Sequence, residues 1–271
     1  MSVTENITEA TPAEDVVQLR RVGAHIAVVT INRPRSRNAI SAAVAQALDA
    51  YVKTIEGDPS IRVAILTGAG QQAFCAGADL KEMSSGSPTH ARSTVDGGFA
   101  GFVFAPRRKL WIAAVNGAAV AGGFELMLAC DMAIASTGAI FALPEVKRGL
   151  AATAGGVFRL PRALPRAIAL EMIATGDPMD AQRAFALGLV NRVVAPELVL
   201  AEALRLAESV SANAPLSVAW SLEVARRASD LDETEMRRLA REVTDRILST
   251  EDAREGPRAF AEHCPPVWKG R

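Results

Sequence analysis

The run RVAILT at 62–67, stopped by Gly68, Ala69 and Gly70, constrains the fold more than any other stretch, because so continuous an apolar run reads as a buried strand. Its surroundings repeat the theme. Residues 16–21 and 25–31, the latter carrying the β-branched run IAVVTI, read as two strands of a hairpin turning at Gly23. From Ser41, placed as a helix N-cap, Val44, Leu48, Val52 and Ile55 recur at helical spacing to about Glu56, and Asp58 and Pro59 then break the chain. The strand, helix, strand cycle recurs as a helical stretch through the nineties, a strand at 112–115, a helix at 122–129 and a strand at 132–135. Such alternation predicts an α/β layered core with much parallel pairing and right-handed crossovers. Beyond residue 160 helical periodicity dominates, at 167–174, 181–187, 197–211, 216–228 and 232–248, with one strand-like interruption at 189–194.

A chain of 271 residues accommodates one large domain, or one domain with a helical appendage. Lys plus Arg and Asp plus Glu number 30 each, so no global basic field exists to attract nucleic acid or an anionic membrane. An anionic ligand must be met locally. Cys75, Cys130 and Cys264 are far apart, without a C-x-x-C pattern or flanking histidines, and read as reduced thiols of a cytoplasmic protein rather than metal ligands. Residues 1–15, MSVTENITEATPAED, read as a frayed tail and not a signal peptide, and no apolar stretch is long enough to span a bilayer. The small polar segment 84–98 reads as a loop leading into a helix.

Three stretches are candidates for chemistry, and each has a plain structural reading beside the functional one. AFCAGAD at 73–79 places small residues after a strand, which lets an anion or carbonyl oxygen approach the backbone N–H groups; it equally suits a tight turn before a helix capped by Asp79. In AAVNGAAVAGGFELMLAC at 113–130, Gly122 and Gly123 open a helix with Glu125 in its first turn, where a carboxylate either complements the helix dipole or works beside free N–H groups that favour an enolate. In FALPEVKRGLAATAGGVFRL at 141–160, Glu145 follows Pro144 and either pairs with Lys147 or Arg148 on a solvated turn or serves as a second working carboxylate. Together the three supply two backbone-donor sites and two carboxylates. Water addition to an unsaturated thioester requires that set: donors for the enolate oxygen, one group to take a proton from water and one to give a proton to the α-carbon.

The chain resembles the enoyl-CoA hydratase (crotonase) superfamily over nearly its whole length, through INRPRSRNAI, AFCAGADLKEM, AAVNGAAVAGGFELMLACD, FALPEVKRGL, AGGVFRLPR and GLVNRVV in the expected order. The resemblance implies a crotonase-like spiral of repeated ββα units over 16–195 and a helical trimerisation region over 196–271, assembled as a homotrimer or a dimer of trimers. It implies reversible syn hydration of a 2-enoyl-CoA, with no cofactor beyond the CoA of the substrate and no nucleic-acid or membrane partner. By the family's pattern Ala76 and Gly122 supply the oxyanion-hole N–H groups, and Glu125 and Glu145 are the catalytic carboxylates. Contacts to the CoA thioester are expected from Arg33, Arg35, Arg37, Ala76, Ala78, Asp79 and Leu80, and from Phe260 and His263, the last standing where the family has a lysine. The superfamily also hosts isomerases, other lyases and RNA-binding or scaffold members, so fold alone does not settle function.

Three departures bear on the substrate: His263 itself, Ala152 and Thr153 in place of a proline-glycine turn, and Lys109 followed by Leu110 rather than proline. FALPE, RLPR and the ending EGPRAFAEHCPPVWKGR are also similar to the carnitinyl-CoA dehydratase branch, whose substrate carries a quaternary ammonium. Phe99, Phe102, Phe104 and Trp111 are the aromatic candidates for the acyl pocket, either as plain apolar lining or as a cation site.

Overall fold

The expected hairpin begins the ordered chain. β1 (Val17–Val22) and β2 (Ile26–Ile31) pair antiparallel, from Val17 against Ile31 to Val22 against Ile26, and Gly23 supplies the left-handed φ of 59° between them. The computed structural model describes residues 15–84 and 88–271, so the expected tail at 1–15 lies, except for Asp15, outside the described residues.

Helix α1 (Ala42–Gly57) starts where the periodicity predicts. The Ser41 Oγ accepts the Val44 N–H at 3.3 Å, and Val44, Leu48, Val52 and Ile55 all turn inward. The chain continues through β3 (Val63–Gly68), β4 (Ala73–Cys75), α2 (Leu80–Ser84), a short ribbon of β5 (Ser93–Thr94) and β6 (Gly98–Phe99), β7 (Leu110–Val115), β8 (Ala118–Val120) and α3 (Gly122–Leu128). Next come β9 (Met132–Ser136), β10 (Ile140–Ala142), α4 (Gly156–Ala163), α5 (Arg166–Thr175), β11 (Met179–Asp180), α6 (Ala181–Ala186) and β12 (Arg192–Val194). Helices α7 (Val199–Ser211), α8 (Pro215–Arg226), α9 (Glu233–Leu248) and α10 (Asp252–Ala261) complete it.

Successive strands divide between two sheets. β3, β7 and β9 join the larger sheet, ordered β1-β2-β3-β7-β9-β12, and their followers β4, β8 and β10 join the smaller, ordered β11-β10-β8-β4. Each pair leads on toward a helix, which makes a spiral of ββα units. Parallel register within the larger sheet runs from Ile26 against Val63 and from Val63 against Leu110, and every residue of β3 and β7 is buried. That accounts for the unbroken RVAILT run: both faces of the sheet are covered. One face packs on the main core around Phe74, Trp111 and Phe124. The other is sealed by α7, whose Val199, Ala203 and Ala207 lie on Ile65, Ile112 and Ile134. Burying a valine or isoleucine of this contact stabilises by roughly 1.5–3 kcal/mol, and the two alanines let α7 lie close, so α7, beyond the expected boundary at 195, belongs to the sheet's packing.

The helix expected through the nineties is absent. In its place are a 3₁₀ turn over Thr89–Arg92, the β5 and β6 ribbon, and turns leading to buried Phe102 and Val103. Gly98, Ala100 and Gly101 hold φ values of 63°, 58° and 65°, which no right-handed helix admits. Thr94 anchors the ribbon to α1, its hydroxyl donating to Asp49 at 2.7 Å and accepting from the Gly97 N–H at 3.0 Å. Helix α10 has no counterpart in the expected set, and β12 is shorter than the strand expected at 189–194 because the Leu189 N–H closes back on the Ala184 carbonyl.

Candidate active site

In the smaller sheet β4, β8 and β10 lie side by side and parallel, with Phe141 opposite Ala119 and Ala73 opposite Ala118. Their carboxyl ends therefore open at one edge. β4 delivers Ala76 to Ala78, β8 delivers Gly122 and the first turn of α3 with Glu125, and β10 delivers Pro144 and Glu145 on a 3₁₀ turn. Crevices at the carboxyl ends of parallel strands are common ligand sites, and this one opens on a cavity of about 540 Å³.

Small residues are needed because the segments nearly touch. A Cβ on Gly123 would fall 1.9 Å from the Cys75 carbonyl oxygen, and one on Gly77 would fall 3.1 Å from the Gly122 nitrogen. Ala121, just before α3, takes a φ of 53° with ψ of −129°, a conformation costly for a residue with a Cβ, while its N–H donates to the Ala142 carbonyl at 2.9 Å. Strain is thus placed directly at the Gly122 N–H. That group has no hydrogen-bond partner among the described residues, as the first donors of a helix do not.

The expected partner of Gly122, Ala76, must be corrected. Its N–H donates to the Arg37 carbonyl at 3.0 Å and is occupied. Gly77, with φ of 87°, turns the chain, and the two hydrogen bonds flanking Ala78, from Ile40 N–H to the Gly77 carbonyl and from Asp79 N–H to the Ile40 carbonyl, direct the Ala78 N–H away from Ile40. The Ala78 N–H has no partner among the described residues, and Ala78 lines the cavity with Gly122.

Both glutamates line that cavity. Glu125 is 4% exposed and its Oε1 accepts the Gly156 N–H at 2.9 Å, so the glycine pair at 155–156 serves the first carboxylate. Burial pushes the Glu125 carboxyl up to about 7; the Gly156 N–H favours the anion and the nearby charge of Glu145 opposes it. Burial also raises Glu145, against the pull of its own backbone N–H and Arg148, and its Oε2 is buried without a hydrogen-bond partner among the described residues. The surface pair considered for Glu145 is not formed with Lys147, which instead meets Asp177 at 2.6 Å. Two desolvated carboxyls sharing a cavity are suited to divide acid and base roles.

The raised Glu125 carboxyl has a stability consequence with a definite sign. It binds its proton more tightly folded, at about 7, than at the ordinary 4.5, so its contribution is fully present below about pH 4.5 and is lost as pH rises through 7. Glu125→Gln has no such loss. We expect the variant to gain roughly 3 kcal/mol on the wild type between pH 4 and pH 8, read from urea unfolding at fixed protein concentration. An equal stability difference at both pH values would contradict the buried-carboxyl account.

Of the remaining expected contacts, Ala76, Ala78 and Leu80 line the cavity. Arg33 and Asp79 do not; they meet each other at 2.9 Å, with Arg33 also donating to the Ala39 carbonyl at 2.6 Å and Asp79 capping the Lys81 and Glu82 N–H groups. Arg35 and Arg37 are exposed outside the cavity wall. Phe260 is 83% exposed near the end of α10 and His263 follows it at φ of 52°, and neither lines the cavity of its own chain. Of the four aromatic candidates, Phe99 and Phe104 form part of the wall, whereas Phe102 and Trp111 pack edge to face at 5.0 Å in the core. Arg92 and Leu150 also stand in the wall, and no local sequence pattern marks either. A larger cavity, about 780 Å³ between α1 and α8, mixes charges such as Lys53, Glu56 and Arg226 and holds no desolvated carboxylate pair. Among the described residues no cluster of metal-ligating side chains occurs, and no helix is long and apolar enough to cross a membrane.

Comparison with known proteins agrees with this fold. The profile of the enoyl-CoA hydratase/isomerase family matches residues 21–271. The chain is 45% identical to the carnitinyl-CoA dehydratase of Proteus mirabilis over 248 residues, covering 90% of this chain and 94% of that protein. Among solved structures it resembles an enoyl-CoA hydratase from Mycobacterium tuberculosis, at a TM-score of 0.90 and 40% identity over 95% of this chain and 100% of that one. It also resembles a carnitinyl-CoA hydratase from Mycobacterium avium, at a TM-score of 0.77 and 47% identity over 96% and 100%. Two-sheet ββα spiral, small-residue crevice and sequence similarity across nearly the full length lead to one assignment: the chain belongs to the enoyl-CoA hydratase/isomerase family.

Proposed function

We propose that this protein is a hydro-lyase that reversibly adds water, syn, across the double bond of a 2-enoyl-CoA thioester to give the 3-hydroxyacyl-CoA. The observation that carries this is the presence, in one cavity, of two desolvated carboxyls, Glu125 and Glu145, and two backbone N–H groups without partners among the described residues, those of Ala78 and Gly122. The ionised carboxylate takes a proton from water as its oxygen bonds to the β-carbon. The π electrons move onto the thioester oxygen, whose enolate charge the two N–H groups hold, and the protonated carboxyl delivers its proton to the α-carbon. The product gains its hydroxyl from the water and its α-hydrogen from the protonated carboxyl, and the proton taken from water passes across the carboxyl pair to restore the starting state. Proton transfer and charge stabilisation suffice, so CoA enters as part of the substrate and no further cofactor is called for.

A second reading, dehydration of carnitinyl-CoA, is favoured by the similarity to the Proteus protein. Positional isomerisation on the same scaffold is a third outcome that the assay separates by product mass. The exposed Phe260 and the neighbouring His263 support assembly as a trimer or dimer of trimers, in which they would reach a neighbour's CoA. The free thiols Cys75, Cys130 and Cys264 suit the cytoplasm.

The test is a panel of enoyl-CoA thioesters of increasing chain length, including crotonobetainyl-CoA, followed by loss of conjugated absorbance and by product mass. Addition of water to at least one member is expected. Protein that neither binds nor converts any thioester but binds RNA in a salt-dependent way would overturn the enzymatic reading.

A further inference from the structure

The cavity wall contains a guanidinium that the hydration chemistry does not use. Arg92 closes the 3₁₀ turn over Thr89–Arg92 and is 1% exposed, yet it lines the same cavity as Glu125 and Glu145. Among the described residues neither Nη1 nor Nη2 has a hydrogen-bond partner. The Glu82 carboxylate, 3.6 Å from Nη1, is an ion-pair neighbour beyond hydrogen-bond reach. Its oxygens also accept from the Ala42 N–H, at 3.1 and 3.4 Å, at the positive end of α1. Glu82 is not in the cavity wall and Arg92 is, so of the pair only the cation borders the cavity.

The wall around Arg92 is poorly made for a cation. Phe104, one of its two aromatic rings, already has the Arg159 guanidinium 5.4 Å from its centroid, and Arg159 is held there by the Val103 carbonyl at 2.6 Å. That leaves Phe99, whose ring lies against Gly122: a Cβ on that glycine would come within 2.4 Å of it. Among the described residues the other charged groups of the wall are Arg148 and the two glutamates, of which the hydration chemistry keeps one protonated and one ionised, so the wall carries two guanidinium charges against one carboxylate. A quaternary ammonium would bring a like charge toward a shielded guanidinium and offer no acceptor to its N–H groups, and one aromatic face attracts less than such a charge repels. A carboxylate offers paired acceptors that match the guanidinium fork.

We propose that Arg92 makes this pocket selective for an acyl chain that ends in a carboxylate and selective against one that ends in a quaternary ammonium. The inference rests on the thioester reading of the site, and within it separates this chain from the relatives named for carnitinyl-CoA.

The test compares binding of three saturated thioesters of similar length, glutaryl-CoA, valeryl-CoA and γ-butyrobetainyl-CoA, by calorimetry on the full-length protein. Wild type is expected to bind glutaryl-CoA about tenfold more tightly than valeryl-CoA, and γ-butyrobetainyl-CoA more weakly than either. In Arg92→Gln the first difference should collapse to about twofold or less, and Arg92→Lys should restore part of it. A merely structural role would shift all three affinities alike. The wild-type ranking stands even if a variant fails to fold: equal affinities, or tightest binding of the cationic thioester, overturn the proposal. Hydration of the matching enoyl thioesters is measured separately. Glutaryl preference without hydration of any substrate would defeat the hydratase reading and leave the Arg92 assignment in place.

Discussion

Exchange of either Glu125 or Glu145 for glutamine is expected to lower kcat for hydration of crotonyl-CoA by about 100- to 10,000-fold, the range lost when a positioned acid or base is removed. The amide matches the carboxyl in shape and at position 125 still accepts the Gly156 N–H, so the cavity wall and thioester binding should survive. The loss then lies in proton transfer, and KM for the thioester should move far less than kcat. Because the two carboxyls act as a pair, the double variant is expected to be little worse than the slower single one. Steady-state loss of conjugated absorbance, with product mass as control, reads all three. Full activity in either single variant would remove the paired-carboxyl mechanism while leaving the family assignment untouched.

Gly123→Ala is the second large effect. A methyl group there would sit 1.9 Å from the Cys75 carbonyl oxygen and 2.6 Å from its carbon, and backbone cannot yield as a flexible side-chain end can. The start of α3 must therefore move away from the end of β4, which separates the Gly122 and Ala78 N–H groups. Overpacking of this kind destabilises by about 1–3 kcal/mol, and misplacement of the donors by about 1 Å lowers kcat by about 100-fold. Urea unfolding and kcat together check it. A variant with wild-type kcat would show that the spacing of the two segments does not matter to catalysis, whatever its stability.

Much of this molecule was legible in advance, for local reasons. The Ser41 cap and the Val44, Leu48, Val52, Ile55 stripe are set within one helix, and the β-branched runs of β2, β3 and β7 carry their burial in their composition. The failures lie where the local pattern is silent. The stretch through the nineties suggests helix, yet Gly98, Ala100 and Gly101 need left-handed backbone, and a non-glycine residue such as Ala100 accepts it only when the fold around it insists. Phe102 and Trp111 look no different in sequence from Phe99 and Phe104, although one pair packs in the core and the other faces the cavity.

By itself the sequence determined the kinds of groups present at 76–78, 122–125 and 145 and the alternation of strand and helix that carries them, since both follow from residue type and spacing. Only the tertiary structure decided which groups are free to act. Ala76 and Ala78 are near-identical in sequence context, but Arg37 takes the N–H of the first, while the Ile40 bridge turns that of the second toward the cavity. Glu145 is flanked by Lys147 and Arg148, yet Asp177 draws Lys147 away and burial sets the carboxyl's proton affinity. Arg92 gives no signal along the chain and acquires one from the cavity it lines. The reason is the same in each case: a hydrogen bond or a desolvation is made with residues far away in the chain, and nothing in a local pattern specifies that partner.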